Sequence, residues 1–176
     1  MEYCIYIMSH AKTGIDDFVV TVTRILQKHN IAVEDVCFHF LNFGGSEISI
    51  DIEELNDYVR SSLGIGIVPC FYQLNLDGES DFDSVAGVCS NTIIDGSEKC
   101  AILVDLVSRP VIMAGICSRL REALNATRPA AVNSMIFYTF KQYVTGDGVK
   151  HRFGDDHDVN LEWFEKRLCK VLSIEG

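Results

Sequence analysis

The sequence has few of the features that mark disorder, secretion or a membrane span. Only three prolines occur in 176 residues, and no segment is of low complexity, so we expect an ordered chain. No apolar run approaches the ~18 residues of a spanning helix. The start "MEYCIYIMSH" has an acidic residue at Glu2, where a signal peptide carries basic residues. We therefore expect one globular domain over residues 1–176, located in the cytoplasm.

The sequence also lacks paired cysteines. Seven cysteines are an odd number, and no two have the C-x-x-C spacing of zinc and redox sites. Most lie in apolar runs such as "YCIYI" and "VPCFYQ", which indicates buried free thiols in a reducing compartment. The first three, Cys4, Cys37 and Cys70, are spaced by 33 residues. The segments between them differ in pattern, so we reject an internal repeat.

Motifs that name a reaction are missing as well. There is no G-x-S-x-G of a serine hydrolase and no H-E-x-x-H of a zinc peptidase. The stretch "MSHAKTG" is placed like a phosphate loop, but Tyr6 and Ala11 occupy the glycine positions. Cys117 is followed closely by Arg119 and Arg121, and a nucleophilic role would need a histidine that only the fold could supply. A packing role for Cys117 is favoured.

The segment "FGDDHDVNLE" gathers three aspartates and a histidine within residues 155–158. The spacing from Asp156 begins like a calcium loop, but Leu161 replaces the required glycine and Arg167 the required glutamate. Capping of a helix over about 159–172 by Asp158 or Asn160 explains the acids more simply. We expect no metal and no cofactor. A metal-dependent or catalytic role for the 155–158 cluster stays open.

The remaining pattern predicts an α/β fold. Helical stripes mark about 14–29, 52–63, 110–124 and 159–172, and short β-rich runs separate them. Gly44-Gly45 predicts one hairpin, and residues 145–148 predict a second. Pro69 places the strand that follows it at a sheet edge or a bulge. We expect a single-domain sandwich with a mixed β-sheet, two hairpins and about four helices.

Positive charge is scarce. The chain has 15 basic and 25 acidic residues, a net charge of -10. Nucleic-acid binding is not expected, because it needs clustered Lys and Arg, and anionic membrane surfaces are excluded for the same reason. A basic protein partner fits this charge, since electrostatic steering speeds association. The plainer interpretation is that acidity only maintains solubility.

The acids concentrate in blocks. One follows a predicted strand in "LDGESDFDS", the second is the 155–158 cluster, and a third is possible on the helix after Asp51. Trp163 falls on the side of the last helix opposite its apolar stripe, which suits a binding anchor. The predicted partner-binding residues are Asp77, Glu79, Asp81, Asp83, Asp155, Asp156, Asp158 and Trp163.

In size, acidity, free cysteines and lack of a reaction motif, the chain resembles bacterial immunity proteins. The resemblance is one of overall character, and no motif carries it. It implies a protein, not an enzyme, that covers the positive active site of a toxin, often a nuclease. The alternatives are a small metal- or thiol-dependent hydrolase, using the 155–158 cluster or a Cys/His pair, and a structural module whose acidity means only solubility.

Overall fold

The chain alternates strands and helices along its length, as the predicted α/β class requires. The computed structural model describes residues 3–8, 12–42, 50–75, 99–104, 110–127, 132–137, 142–144, 150–152 and 157–174. The elements are β1 (Tyr3–Met8), α1 (Lys12–Lys28), a 3₁₀ turn (Val33–Asp35), β2 (Val36–Asn42), α2 (Ile52–Leu63), β3 (Cys70–Asn75), β4 (Lys99–Val104), α3 (Pro110–Thr127), β5 (Met135–Phe137), β6 (Gln142–Val144), β7 (Lys150–Arg152) and α4 (His157–Val171).

Five strands form one sheet in the order β3-β2-β1-β4-β5. Every neighbouring pair in this sheet is parallel, so the prediction of a mixed sheet is wrong. The reason lies in the connections, because α1, α2 and α3 each carry the chain back over the sheet before the next strand begins. β3 stands at one end of the order, which confirms the edge position predicted from Pro69.

The two predicted hairpins have different outcomes. β6 and β7 pair antiparallel as a separate two-stranded sheet, which confirms the hairpin around residues 145–148. The hairpin predicted at Gly44-Gly45 is wrong for β2, because β2 has parallel neighbours on both sides. No antiparallel strand can pair with it there. Residues 43–49 lie outside the described part of the chain.

The helices follow the sequence pattern closely. α1 buries the whole predicted stripe: Ile15, Phe18, Val19, Val22, Ile25 and Leu26. α2 begins after Asp51, whose side chain accepts hydrogen bonds from the backbone of Glu53 and Glu54. It ends at Gly64, whose φ of 62° is the left-handed conformation that glycine adopts without strain. None of the described helices is long and apolar enough to cross a membrane.

Two apolar layers enclose the five-stranded sheet. One face packs against α1, α2 and α4 through residues such as Phe38, Phe40 and Phe164. The other face packs against α3, through Cys117, Leu120 and Leu124. Since side chains alternate along a strand, Ile5 faces the first layer, whereas Cys4 and Tyr6 face the second. Side chains of neighbouring strands can therefore meet only when they project from the same face of the sheet.

Candidate functional site

Most of the predicted partner-binding acids lie outside the described residues. This holds for Asp77, Glu79, Asp81 and Asp83, and also for Asp155 and Asp156. α4 begins at His157, two residues earlier than expected, so Asp158 lies in its first turn and not before it. Trp163 is 47% exposed on α4, on the side opposite buried Phe164 and Leu168, as its helical angle predicts.

The third acidic block is well described. Asp51, which caps α2, and Glu53, Glu54 and Asp57 on the helix are all exposed. Glu53 and Asp57 lie on the side of α2 opposite buried Leu55 and Val59. Asp57 forms an ion pair with Arg60 at 3.8 Å, and both side chains are solvent-exposed. Such a pair contributes little to stability. α2 therefore presents a solvated row of carboxylates at the β3 end of the sheet.

Large apolar side chains are exposed at the same edge. Tyr58 is 43% exposed on α2, Ile67 is 56% exposed in the connection that follows, and Tyr72 is 48% exposed on β3. None of the three exposed side chains was predicted from the sequence, although Tyr58 lies off the apolar stripe of α2. We call the exposed acids of α2 together with Tyr58, Ile67 and Tyr72 the β3-edge surface. Since α2 covers one face of the sheet and Tyr72 projects from the other, this surface wraps around the edge.

The groove between α1 and α4 has a different character. It forms an open cavity of about 690 Å³ whose lining includes Lys28, Lys166 and Lys170. Lys28 donates a hydrogen bond to Glu165 Oε2 at 3.2 Å and lies 2.9 Å from Oε1. That hydrogen bond holds the pKa of Glu165 below its usual value. The lysines of this groove and the carboxylates of α2 are thus on separate elements.

The same groove contains a thiol beside an imidazole. Cys169 Sγ lies 3.4 Å from His29 Nε2, which in turn lies 3.4 Å from Glu165 Oε1. Burial raises the pKa of the Cys169 thiol, and the Glu165 charge adds to this effect. The thiol is therefore held protonated near neutral pH, whereas a catalytic cysteine needs its thiolate. Cys169 and Glu165 also contact the same ring nitrogen of His29, Nε2, whereas the nucleophile and the acid of a catalytic triad contact different nitrogens of the imidazole.

Cys117 has the packing role that its sequence position favoured. It is buried in the layer beneath α3 with Leu120 and Leu124. Burial raises its pKa to about 11, with Arg121 opposing the shift. Within the described residues, no group of three or more His, Cys, Asp or Glu side chains is arranged to hold a metal ion. Asp155 and Asp156 of the 155–158 cluster lie outside the described residues.

A second Cys/His pair lies on the α3 face of the sheet. His39 Nε2 is 3.4 Å from Cys37 Sγ and 3.9 Å from Cys4 Sγ. The His39 ring stacks between Tyr6, at a centroid distance of 4.7 Å, and Tyr72, at 5.2 Å. The ring of His39 is thus held by two thiols and two tyrosine rings. Cys37 and His39 are two residues apart on one strand. By contrast, Cys4 and His39, and also His29 and Cys169, are far apart in the sequence.

The strand order reverses between β1 and β4, and ligands of open α/β sheets commonly bind at the carboxyl ends of the strands at such a point. Residues 9–11 and 105–109, which follow these strands, lie outside the described residues, so no site is assigned there. A scan against models of protein families finds no match, and searches of curated proteins and of solved structures find no similar protein.

Proposed function

We propose that this chain is an acidic binding protein that neutralises a basic protein partner. We further propose that the partner is a toxin domain, for example a nuclease, whose positively charged active site is covered in the complex. One observation supports this most: exposed carboxylates and exposed aromatic side chains occur together on the β3-edge surface. Protein interfaces combine such aromatic anchors with a polar rim.

Charge complementarity selects a basic partner. The net charge of -10 attracts a positively charged protein at long range, which raises the association rate. Asp51, Glu53, Glu54 and Asp57 would face the partner's Lys and Arg side chains. Tyr58 and Ile67 would lose water on contact, which stabilises the complex once it has formed. Speed of capture matters for an inhibitor, since few toxin molecules are needed to kill a cell.

The other predicted contacts remain part of the proposal. Asp77, Glu79, Asp81 and Asp83 follow β3 in the sequence, and we propose that they extend the acidic contact. Asp155, Asp156, Asp158 and Trp163 belong to the start of α4 and the segment before it. α4 packs over β4, separated from β3 by β1 and β2 in the sheet order. Contacts there therefore form a second region, distinct from the β3-edge surface.

A pair of charge-reversal variants tests the proposal. Glu53→Lys/Asp57→Lys changes two exposed acids of the β3-edge surface. The matched control, Glu34→Lys/Asp35→Lys, makes the same change of net charge at two exposed acids of the 3₁₀ turn. That turn precedes β2, whereas α2 begins after the carboxyl end of β2, so the two pairs lie on different parts of the surface.

The partner in this test is a purified basic toxin domain, sought first in the reading frame that precedes the one encoding this chain. We expect the first variant to lower the association rate about tenfold at low salt, within the range that steering contributes. The control should stay within about twofold, and added salt should remove the difference. If both variants lowered the association rate equally, the net charge of the chain, and not the position of the acids, would set that rate. No binding, or undiminished toxin activity in the complex, would refute the proposal.

A second candidate function, thiol-dependent hydrolysis, is favoured by one observation: Cys169, His29 and Glu165 meet in the lining of the α1–α4 cavity. The raised pKa of Cys169 argues against it. The discriminating experiment measures ester or peptide hydrolysis by the isolated chain and by Cys169→Ser. Turnover that disappears in Cys169→Ser would replace the binding proposal with the enzymatic one.

A further inference from the structure

Four cysteines form a continuous row across four neighbouring strands. The register pairs Cys37 with Cys70, Cys4 with Cys37, and Cys4 with Cys100. All four belong to the face of the sheet beneath α3. Adjacent strands lie about 4.8 Å apart, and this spacing falls inside the Cα separation of about 4.4–6.8 Å that a disulfide requires. Each neighbouring pair in the row is therefore close enough to be joined.

Access distinguishes the members of the row. Cys70 is partly exposed on the edge strand β3, beside Tyr72, which is 48% exposed. Cys37 is 1% exposed and Cys4 is 6% exposed, so neither meets a dissolved oxidant directly. Cys100 is also partly exposed, at the other end of the row. A small oxidant can therefore reach the row at its ends, and the buried cysteines can act only on a partner that has already reacted.

The imidazole of His39 makes the two halves of the row different, because it lies closer to Cys37 than to Cys4. His39 Nε2 lies 3.4 Å from Cys37 Sγ, close enough to accept the thiol proton. It is 3.9 Å from Cys4 Sγ, a longer contact. Stacking on Tyr6 and Tyr72 holds the His39 ring in this place. Because the thiolate is the nucleophile in sulfur exchange, Cys37 is the member of the row best prepared to attack.

We propose that Cys70 and Cys37 form an oxidation site at which a peroxide generates a reversible disulfide between β3 and β2. In the first step the peroxide transfers an oxygen atom to the Cys70 sulfur, giving sulfenic acid and one water from hydrogen peroxide. In the second step the Cys37 thiolate, its proton taken by His39, attacks the Cys70 sulfur. The S–S bond forms, the S–O bond breaks, and hydroxide leaves as water with the proton from His39. One peroxide is reduced, and two thiols are oxidised.

The site adjoins the β3-edge surface, yet the proposal does not depend on the function proposed for that surface. Its test needs no partner protein. The reduced full-length chain is treated with hydrogen peroxide, remaining thiols are blocked by alkylation, and disulfide-linked peptides are identified by mass spectrometry. Trypsin leaves Cys70 and Cys89 together in the peptide 61–99. A second digestion with chymotrypsin, which cleaves after Phe71 and Tyr72, separates them.

We expect a Cys37–Cys70 link that a dithiol reductant removes. Cys70→Ser should abolish it, whereas the matched control Cys100→Ser, at the other end of the row, should retain it. His39→Gln should slow its formation about 10²-fold, the low end of what a positioned base contributes, if the variant remains folded by circular dichroism. The comparison of Cys70→Ser with Cys100→Ser tests the proposed disulfide even if His39→Gln does not fold. A dominant Cys4–Cys100 or Cys70–Cys89 link, or Cys70 oxidised without any link, would overturn the proposal.

Discussion

Removal of one aromatic side chain tests how α4 is attached to the sheet. Phe164 is fully buried, and its ring lies 6.1 Å from that of Phe18 on α1. In Phe164→Ala the lost burial and the cavity left behind together cost about 3–5 kcal/mol. Since a domain is stable by only about 5–15 kcal/mol, the variant should lose about a fifth or more of its stability.

Urea denaturation measures this loss. Trp163 is the single tryptophan of the chain and neighbours Phe164, so its fluorescence reports on α4 itself. With a slope of roughly 2 kcal/mol per molar urea, the midpoint should fall by about 2 M. Far-UV circular dichroism should give the same midpoint if α4 and the rest of the fold unfold together.

The matched control is Glu162→Ala, which changes an exposed residue two positions away on the same helix. Its midpoint should stay close to that of the unchanged chain, since exposed substitutions alter stability by about 0.5 kcal/mol or less. If Phe164→Ala and Glu162→Ala had the same urea midpoint, the apolar stripe of α4 could not be the surface that packs on the sheet. That result would refute the packing described for α4.

Three further predictions concern single groups. Asp51→Ala should cost about 1 kcal/mol in thermal unfolding through loss of the α2 cap, whereas Asp51→Asn, which still caps, should cost much less; equal losses would implicate charge instead. The folded pKa of Glu165 is lowered mainly by the Lys28 hydrogen bond, so its contribution is present above the unfolded Glu pKa of about 4.3 and is lost as pH falls through the folded value. Acid titrations of stability should therefore flatten in Lys28→Met, and an unchanged acid limb would contradict this. Cys117, with its pKa of about 11, should resist iodoacetamide at pH ~8 until the chain unfolds, and rapid native alkylation would show that it is not buried.

The helices were predictable because their signals are local. The stripe of α1 is fully buried, and α2 has the predicted bounds, with Asp51 as its cap. A periodicity of 3.6 residues and a capping side chain depend only on residues within a few positions of one another. The exposed acids of α2 were also foreseen, since they lie opposite its apolar stripe.

Strand direction was not predictable in the same way. Gly44-Gly45 has the local chemistry of a hairpin, yet both edges of β2 are occupied by parallel strands. Which strand pairs with which depends on contacts between residues far apart in the sequence, and a turn signal cannot register that competition. The 33-residue spacing of the first three cysteines did carry this information. It is the offset between paired residues of β1, β2 and β3, since Cys4 pairs with Cys37 and Cys37 with Cys70.

The same offset explains why the Cys/His chemistry escaped sequence analysis. Tyr6, His39 and Tyr72 are also 33 residues apart, and parallel pairing stacks their rings across three strands. His29 and Cys169 meet although 140 positions separate them. No periodicity within one element predicts such encounters.

By itself, the sequence determined the α/β class, the apolar faces of the helices with their bounds to within a few residues, and the net negative charge. Only the tertiary structure decided that the five-stranded sheet is parallel, that exposed aromatics join the acids at the β3 edge, and that four cysteines form one row. The physical reason is that amphipathicity and charge belong to single segments, whereas strand register brings distant segments together.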